Sequence, residues 1–251
     1  MAPASAWGRL STDRDVDTSS ASRRHSRFIG KNRLAAIFSR PYGIAGRERR
    51  DFRGLRRPHE SESVMTSDRL PPIPPDELTP AQRRAAEALT RGPRGALFGP
   101  FVPMLRSPEL LDRAQRLGEY LRYDCAIPPR LRELAILMTA RHFGQAYEWH
   151  VHAPAAAQAG LSAEVITAVA ARRRPQAMQG DEAVLYEFCQ QLHERHAVSD
   201  EAYAAALRLL GEQGLMDLCG VCGYYGLLAL VMNVARTPLP TGAEAPWSEA
   251  G

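Results

Sequence analysis

The 251-residue sequence has almost no lysine: Lys31 is the only one, and we attribute the use of arginine instead to genome composition rather than to function. Cysteine is also scarce, with four in the chain. Without a convincing signal peptide, structural disulfides are not expected. No apolar run reaches the ~18 residues that a membrane span needs, and the most apolar stretch, 224–235, is typical of a buried helix. These absences favour a cytoplasmic globular protein that does not act at a membrane.

The net charge of +4 averages two unlike regions. Residues 1–64 contain 14 of the 32 basic residues and 7 of the 28 acidic ones, so their net charge is +7 and that of 65–251 is −3. The basic segment has no sustained apolar period, so we predict a disordered extension. Met65 is followed by sequence typical of a natural start, which suggests that 1–64 is upstream sequence. The mildly acidic remainder gives no reason to expect nucleic-acid binding.

Residues typical of helix starts and ends recur along the chain from residue 79 onward. No segment shows the alternation of apolar and polar residues that is typical of a strand. Thr79 followed by Pro80 is a typical helix start, as is Ser162. The Gly- and Pro-rich segment 92–105 is predicted to be a packed loop. We therefore predict an all-α bundle of about seven helices. Its last two members are expected at 199–214 and 215–235, and the final one is apolar nearly all round.

A polar stripe interrupts this apolar pattern near the middle of the chain. Its members follow one another at spacings of 4, 3 and 4 residues, so a continuous helix would place them on one face. Glu133 lies about two turns before the stripe and could reach it. A helix break at Gly144 would instead leave Arg141 off the shared face. The stripe consists of Arg141, Gln145, Glu148 and His152.

The stripe allows two interpretations. A histidine and a carboxylate one turn apart in an apolar setting suit proton transfer, and an arginine could hold an anionic substrate. Glu–His pairs on a helix surface are also common, however, and stabilise a helix by only a few tenths of a kcal/mol. The residue pattern alone leaves both interpretations open.

Metal and redox chemistry are weaker alternatives. His142, Glu148, His150 and His152 resemble a ligand set, but helical spacing separates His150 from the other two members on its helix, so we predict no metal site. The motif CGVC gives Cys219 and Cys222 the spacing of thiol–disulfide centres. Since it falls in the apolar last helix, it is better explained by the packing of small residues.

Three stretches resemble the carboxymuconolactone decarboxylase family of the AhpD-like superfamily: "RSPELLDRAQRLGEYLR", "IPPRLRELAILMTARHFGQAYEWHVHAPAAAQAGLSAEVITAV" and "VSDEAYAAALRLLGEQGLMDLCGVCGYYGLLALVMN". The likeness covers about 70–245 and lies in order and spacing. It implies an all-α bundle that assembles into rings, as a homotrimer or homohexamer. In the superfamily's redox branch, a glutamate and a histidine flank a C-x-x-C pair. Glu133 matches that glutamate and His152 matches that histidine, but Gln145 and Glu148 stand in the two cysteine positions.

The likeness therefore implies the decarboxylase type of chemistry rather than the usual peroxidase route. That reaction removes CO2 from a small carboxylated lactone without a metal or organic cofactor. It implies His152 as proton donor, Glu148 as its partner and Glu133 as a second proton relay, with Arg141 and Gln145 binding the substrate. A peroxiredoxin-type activity through Cys219 and Cys222, or a non-catalytic ligand-binding role, remains the alternative.

Overall fold

The computed structural model describes residues 68–247, which form eight α-helices, a π-helical turn and no strand. The all-α prediction is confirmed. The basic extension predicted for 1–64 and the predicted start at Met65 lie outside the described residues. The helices are α1 (Pro80–Arg91), α2 (Phe101–Met104), α3 (Pro108–Glu119), α4 (Pro129–His142), α5 (Ala146–Gln158), α6 (Ala163–Ala170), α7 (Gly180–Arg195) and α8 (Asp200–Ala235), with the π-helical turn at Tyr120–Asp124.

Helix starts follow the capping signals of the sequence. The Thr79 side chain accepts a hydrogen bond from the backbone N–H of Gln82, and the Gln82 side chain accepts one from the backbone of Thr79, which completes a capping box. The hydroxyls of Ser162 and Ser199 cap α6 and α8 in the same manner. Such caps satisfy backbone N–H groups that have no partner within the helix.

Helix α4 lies at the centre of the fold, packed against α5, α6, α7 and α8. All its residues from Glu133 to Ala140 are buried. A helix that is apolar nearly all round must be covered on every side. The two polar exceptions in this run, Glu133 and Thr139, therefore have to find partners inside the protein.

The segment predicted as a loop, 92–105, contains the short helix α2, whose Phe101 and Met104 side chains are buried. The two helices predicted at 199–214 and 215–235 are both present as the two parts of α8. Their junction is at Gly211, where φ is 69° and ψ is 178°. Since only glycine adopts this conformation without strain, the helical axis changes there rather than at residue 214.

The length and composition of α8 alone would allow it to cross a membrane, with a mean hydropathy of 1.7 in its most apolar window. Yet 56% of that window is buried inside the protein. A core helix passes the same test, so this feature is weak evidence for a span. Within the bundle, α8 packs on α2, α3, α4 and α7.

Candidate active site

Gly144 separates α4 from α5 with a positive φ of 63°, so the predicted polar stripe is not one continuous helix face. Gln145 then caps α5, because its Oε1 accepts a hydrogen bond of 2.8 Å from the backbone N–H of Tyr147. Its Nε2 donates to Oδ1 of Asn233 in α8 at 2.8 Å, and Asn233 in turn donates to the carbonyl of Phe143. Gln145 is thus buried and holds the turn between the two helices in place.

Glu133 of α4 and His152 of α5 meet in the interior, with 2.7 Å between Glu133 Oε2 and His152 Nδ1. Both are buried, at 5% and 4% exposure. Burial acts to raise the pKa of Glu133, but attraction to His152, its hydrogen bond, and the charges of Arg122 and Arg132 outweigh this and lower it. The ionised carboxylate can only accept, so Nδ1 of the imidazole donates. Nε2 remains as the ring nitrogen for chemistry.

Tyr225 of α8 fixes the other side of this imidazole. Its ring stands edge to face with that of His152, with 5.0 Å between the centroids and 87° between the planes. These two contacts restrict rotation of the imidazole, because Glu133 holds one edge of the ring by a hydrogen bond and the Tyr225 ring packs against it on another side. A fixed orientation is what a proton-transfer group requires.

Glu148 is 4% exposed, and neither of its carboxylate oxygens has a hydrogen-bond partner among the described residues. Burial raises its pKa well above the ordinary 4.5. A buried carboxyl group without a counter-charge takes up a proton rather than remaining ionised. The pKa of Glu133 is thus lowered and that of Glu148 is raised, although the two carboxyl groups lie on neighbouring helices.

Glu148 and His152 line a cavity of ≈ 30 Å³. Its remaining wall combines aromatic and aliphatic groups with two arginines, Arg94 from the segment before α2 and Arg122 from the π-helical turn. A water molecule needs about 10–15 Å³, so this cavity has room for one or two waters. An acid, a histidine and two cations converge on a space that is otherwise apolar.

The sequence analysis missed both arginines. The Arg94 guanidinium carbon lies 4.7 Å from the Phe101 ring centroid, and its Nη2 is 3.4 Å from the Tyr224 hydroxyl. Gly118 of α3 permits this approach, since a Cβ there would stand 2.1 Å from the hydroxyl and 2.4 Å from Arg94 Nη2. The one signal for Arg94 was its place in a Gly- and Pro-rich loop, where functional residues concentrate. No pattern pointed to Arg122.

Arg141 lies elsewhere, and the expectation that it joins the site is wrong. Its Nε donates to the carbonyl of Ala170 at 2.7 Å, and its guanidinium carbon lies 4.4 Å from the Trp247 ring centroid. It lines a second and larger cavity of ≈ 330 Å³. The break at Gly144 is the cause, because it uncouples the end of α4 from the face of α5. Gln145, which serves the turn, does not line the Glu148 cavity either.

The structure also changes the predicted partner of His152. Glu148 was expected to orient the imidazole, whereas Glu133 is the carboxylate that hydrogen-bonds to it. Residues at i and i+4 share a helix face, but their side chains bond only if no better-placed group competes. Here α4 brings Glu133 to Nδ1, and Glu148 faces the cavity instead.

The second cavity, here the histidine cavity, is lined by Arg141, His142, Arg172 and His193 among others. The rings of His142 and His193 stack, with centroids 4.9 Å apart. The four residues that resemble a ligand set in the sequence are dispersed, since His142 lies here, while His150 is exposed on α5. Among residues 68–247, no group of three potential ligands is arranged to hold a metal ion.

One of the C-x-x-C cysteines, Cys222, lies close to a cysteine outside the motif. Cys222 Sγ lies 3.9 Å from Sγ of Cys189 in α7, and both are buried. Cys219 is half-buried, and its pKa is raised by burial and by Cys222. The thiol pair that the fold brings together therefore joins two helices, and no short sequence motif encodes it.

Comparison with models of known protein families yields a match. The profile of the carboxymuconolactone decarboxylase family fits residues 108–185, whereas no curated protein matches the chain. The matched segment runs from α3 into α7 and contains Glu133, Glu148 and His152. Residues 108–185 belong to the carboxymuconolactone decarboxylase family, within the AhpD-like superfamily.

Proposed function

We propose that the protein is a cofactor-free lyase that decarboxylates a small carboxylated lactone or similar ring compound in the Glu148 cavity. The observation that carries this proposal is the buried Glu133–His152 hydrogen bond of 2.7 Å, with His152 lining one cavity together with the Glu148 carboxyl group, which is unpaired within the described part of the chain. Two carboxyl groups whose pKa values are shifted in opposite directions, close to one histidine, suit acid–base chemistry. The family of residues 108–185 supports the same class of reaction.

In the proposed reaction, the bond between the ring carbon and the carboxylate breaks, and CO2 leaves. The electron pair passes into the conjugated lactone carbonyl and gives an enolate. His152, as imidazolium, then returns a proton from Nε2 to carbon, and water restores the proton to the ring. Glu133 stabilises the imidazolium and holds Nδ1, so that Nε2 keeps its direction.

Glu148 supplies the complementary group. As a neutral acid, it can donate a hydrogen bond to the carbonyl oxygen on which negative charge develops, which lowers the barrier to enolate formation. Arg94 and Arg122 supply positive charge for the substrate's carboxylate through charge-assisted hydrogen bonds. These two arginines replace Arg141 in the role that the sequence suggested for it.

The ≈ 30 Å³ of enclosed space is far smaller than the roughly 300 Å³ or more of a typical small-molecule site. A ring compound can therefore enter only if the cavity wall moves. The segment that carries Arg94 and Phe98 is the candidate, because it is rich in glycine and proline and belongs to no long helix. The proposal thus requires outward movement of residues 92–100 on binding.

The test is an assay of carboxylated lactones as substrates, in which CO2 release measures turnover. It compares the His152→Gln variant with the His150→Gln variant. Both histidines lie on α5, but His150 is exposed and does not line the cavity. We expect His152→Gln to lose about 10²–10⁴-fold in kcat and His150→Gln to retain activity. Equal activity in the two variants, or no turnover by the parent protein of any lactone offered, would contradict the proposal.

We also propose that the protein assembles into a homotrimer or homohexamer. Exposed apolar side chains on α8 support this, since Met216, Leu230 and Val234 are 60%, 52% and 64% exposed. Their spacings of 14 and 4 residues keep them on one helix face. Light scattering at several concentrations measures the mass, and a monomer throughout would contradict the assembly.

A further inference from the structure

Two thiols lie against one another in the core, outside the Glu148 cavity. Cys189 of α7 and Cys222 of α8 are 0% and 5% exposed, and their sulfur atoms are 3.9 Å apart. A disulfide bond is about 2.05 Å long, so a combined shift of about 2 Å would close it. Since α7 and α8 pack directly on each other, small rotations of the two side chains contribute to that shift.

We propose that Cys189 and Cys222 form a redox-active dithiol that a hydroperoxide oxidises to a disulfide. This activity is independent of the proposed lyase reaction. It uses residues of α7 and α8 rather than the Glu133–His152 pair, and its chemistry needs thiols instead of carboxyl groups. It also differs from the C-x-x-C interpretation, because Cys219 has no part in it.

The surroundings make the two thiols unequal. The hydrogen bond from Cys189 lowers the pKa of Cys222 to about 5 against the opposing effect of burial, with further help from His193 and Thr139. The same contact, together with burial, raises the pKa of Cys189 well above its ordinary value. Cys222, which has His193 and Thr139 beside it, is the nucleophile of the proposed reaction, and Cys189 is the resolving thiol.

His193 connects this pair to the surface. Its Nε2 lies 3.1 Å from the Thr139 hydroxyl, it is close enough to Cys222 to help lower the pKa of that thiol, and it lines the histidine cavity of ≈ 330 Å³. A cavity of that size admits a small hydroperoxide. The histidine ring thus stands between the route of entry and the nucleophilic sulfur.

The chemistry proceeds in two steps. The Cys222 thiolate attacks the hydroperoxide, so that an S–O bond forms, the O–O bond breaks, and the alcohol or water leaves with a proton supplied through His193. The Cys189 thiol then attacks the resulting sulfenic acid, so that the S–S bond forms and water leaves with the remaining proton. Two electrons pass from the thiols to the peroxide, and an external dithiol restores both thiols.

The experiment is exposure of the full chain to stoichiometric hydrogen peroxide, blocking of free thiols with N-ethylmaleimide, and mass mapping of peptides. We expect a crosslinked peptide pair that joins Cys189 to Cys222, lost on treatment with dithiothreitol. Cys222→Ser and Cys189→Ser should each abolish this crosslink. Cys219→Ser and Cys125→Ser, which remove the other two thiols, should keep it.

Three outcomes would overturn the proposal. They are full alkylation of all four cysteines after peroxide, a crosslink between Cys219 and Cys222, and unchanged crosslinking in Cys189→Ser. The mapping of the parent protein does not depend on any variant, so the proposal remains testable even if a serine in the core prevents folding. Lyase activity in the same sample reports separately on the Glu148 cavity.

Discussion

Two histidines in this protein, His152 and His193, line separate cavities and differ in the group that holds the imidazole. His152 hydrogen-bonds to the Glu133 carboxylate at 2.7 Å, whereas His193 lies 3.1 Å from the hydroxyl of Thr139. Both partners belong to α4 and are less than two turns apart. A carboxylate stabilises the charged imidazolium, while a hydroxyl orients the ring without adding charge. The partner thus decides which chemistry each histidine supports.

The first prediction tests the role of the carboxylate by giving His152 an uncharged hydrogen-bond partner. Glu133→Gln keeps a hydrogen-bonding side chain of similar size but removes the charge that stabilises the imidazolium. We expect kcat for lactone decarboxylation to fall about 10²-fold or more. Disulfide formation at Cys189 and Cys222 should be unchanged, which provides an internal control. Steady-state kinetics and peptide mapping measure the two effects, and equal damage to both would show a general loss of structure.

The second prediction concerns the close packing behind the Glu148 cavity. Gly118→Ala places a Cβ about where the Tyr224 hydroxyl lies, at 2.1 Å, so overpacking should cost about 1–3 kcal/mol of unfolding free energy. Gly223→Ala is the matched control, because a Cβ there meets nothing within 4 Å. Urea unfolding measures both. A Gly118→Ala variant as stable as Gly223→Ala would contradict the packing described.

The third prediction separates the arginines of the two cavities. Arg122→Gln should raise KM for a carboxylated substrate about ten-fold, since a charge-assisted hydrogen bond contributes roughly 1.5–3 kcal/mol. Arg141→Gln should change KM less than about two-fold by the same reasoning, because Arg141 lies at the histidine cavity. A larger effect from Arg141 would restore the assignment that the sequence suggested.

The smallest effect is expected from Glu148→Gln on stability. Glu148 has a raised pKa in the folded protein, so the folded state binds more protons than the unfolded state above pH 4.5. Stability of the parent protein should therefore fall as pH rises above 4.5 toward the raised pKa, on the order of 1 kcal/mol per pH unit at most. The variant lacks this dependence. Unfolding at several pH values tests this, and parallel curves would rule it out.

The fold was largely predictable because its signals are local. Thr79, Ser162 and Ser199 cap helices where the sequence places them. Glu133 and His152 are 19 residues apart, and both helical spacing and the family resemblance placed Glu133 near the stripe that contains His152. How α4 crosses α5 determines that Glu133 hydrogen-bonds to His152 and that Glu148 does not.

The remaining features of the two sites arise from tertiary packing. Arg94 and Arg122 reach one cavity from separate segments, and Cys189 meets Cys222 across two helices. No periodicity within a single helix encodes such meetings. The exclusion of Arg141 depended on one residue, Gly144, whose positive φ a sequence pattern permits but does not require.

Gly211 has a consequence for how α8 tolerates change. In an unbroken α-helix, one inserted residue rotates everything after it by about 100° relative to the preceding turns. Because the backbone at Gly211 is not helical, residues 200–210 and 212–235 each have their own rotational phase. An insertion or deletion in the first segment therefore need not rotate Cys222, Tyr225 or Asn233 away from the residues that they contact. The residues of both sites are thereby insulated from length variation in the first part of the same helix.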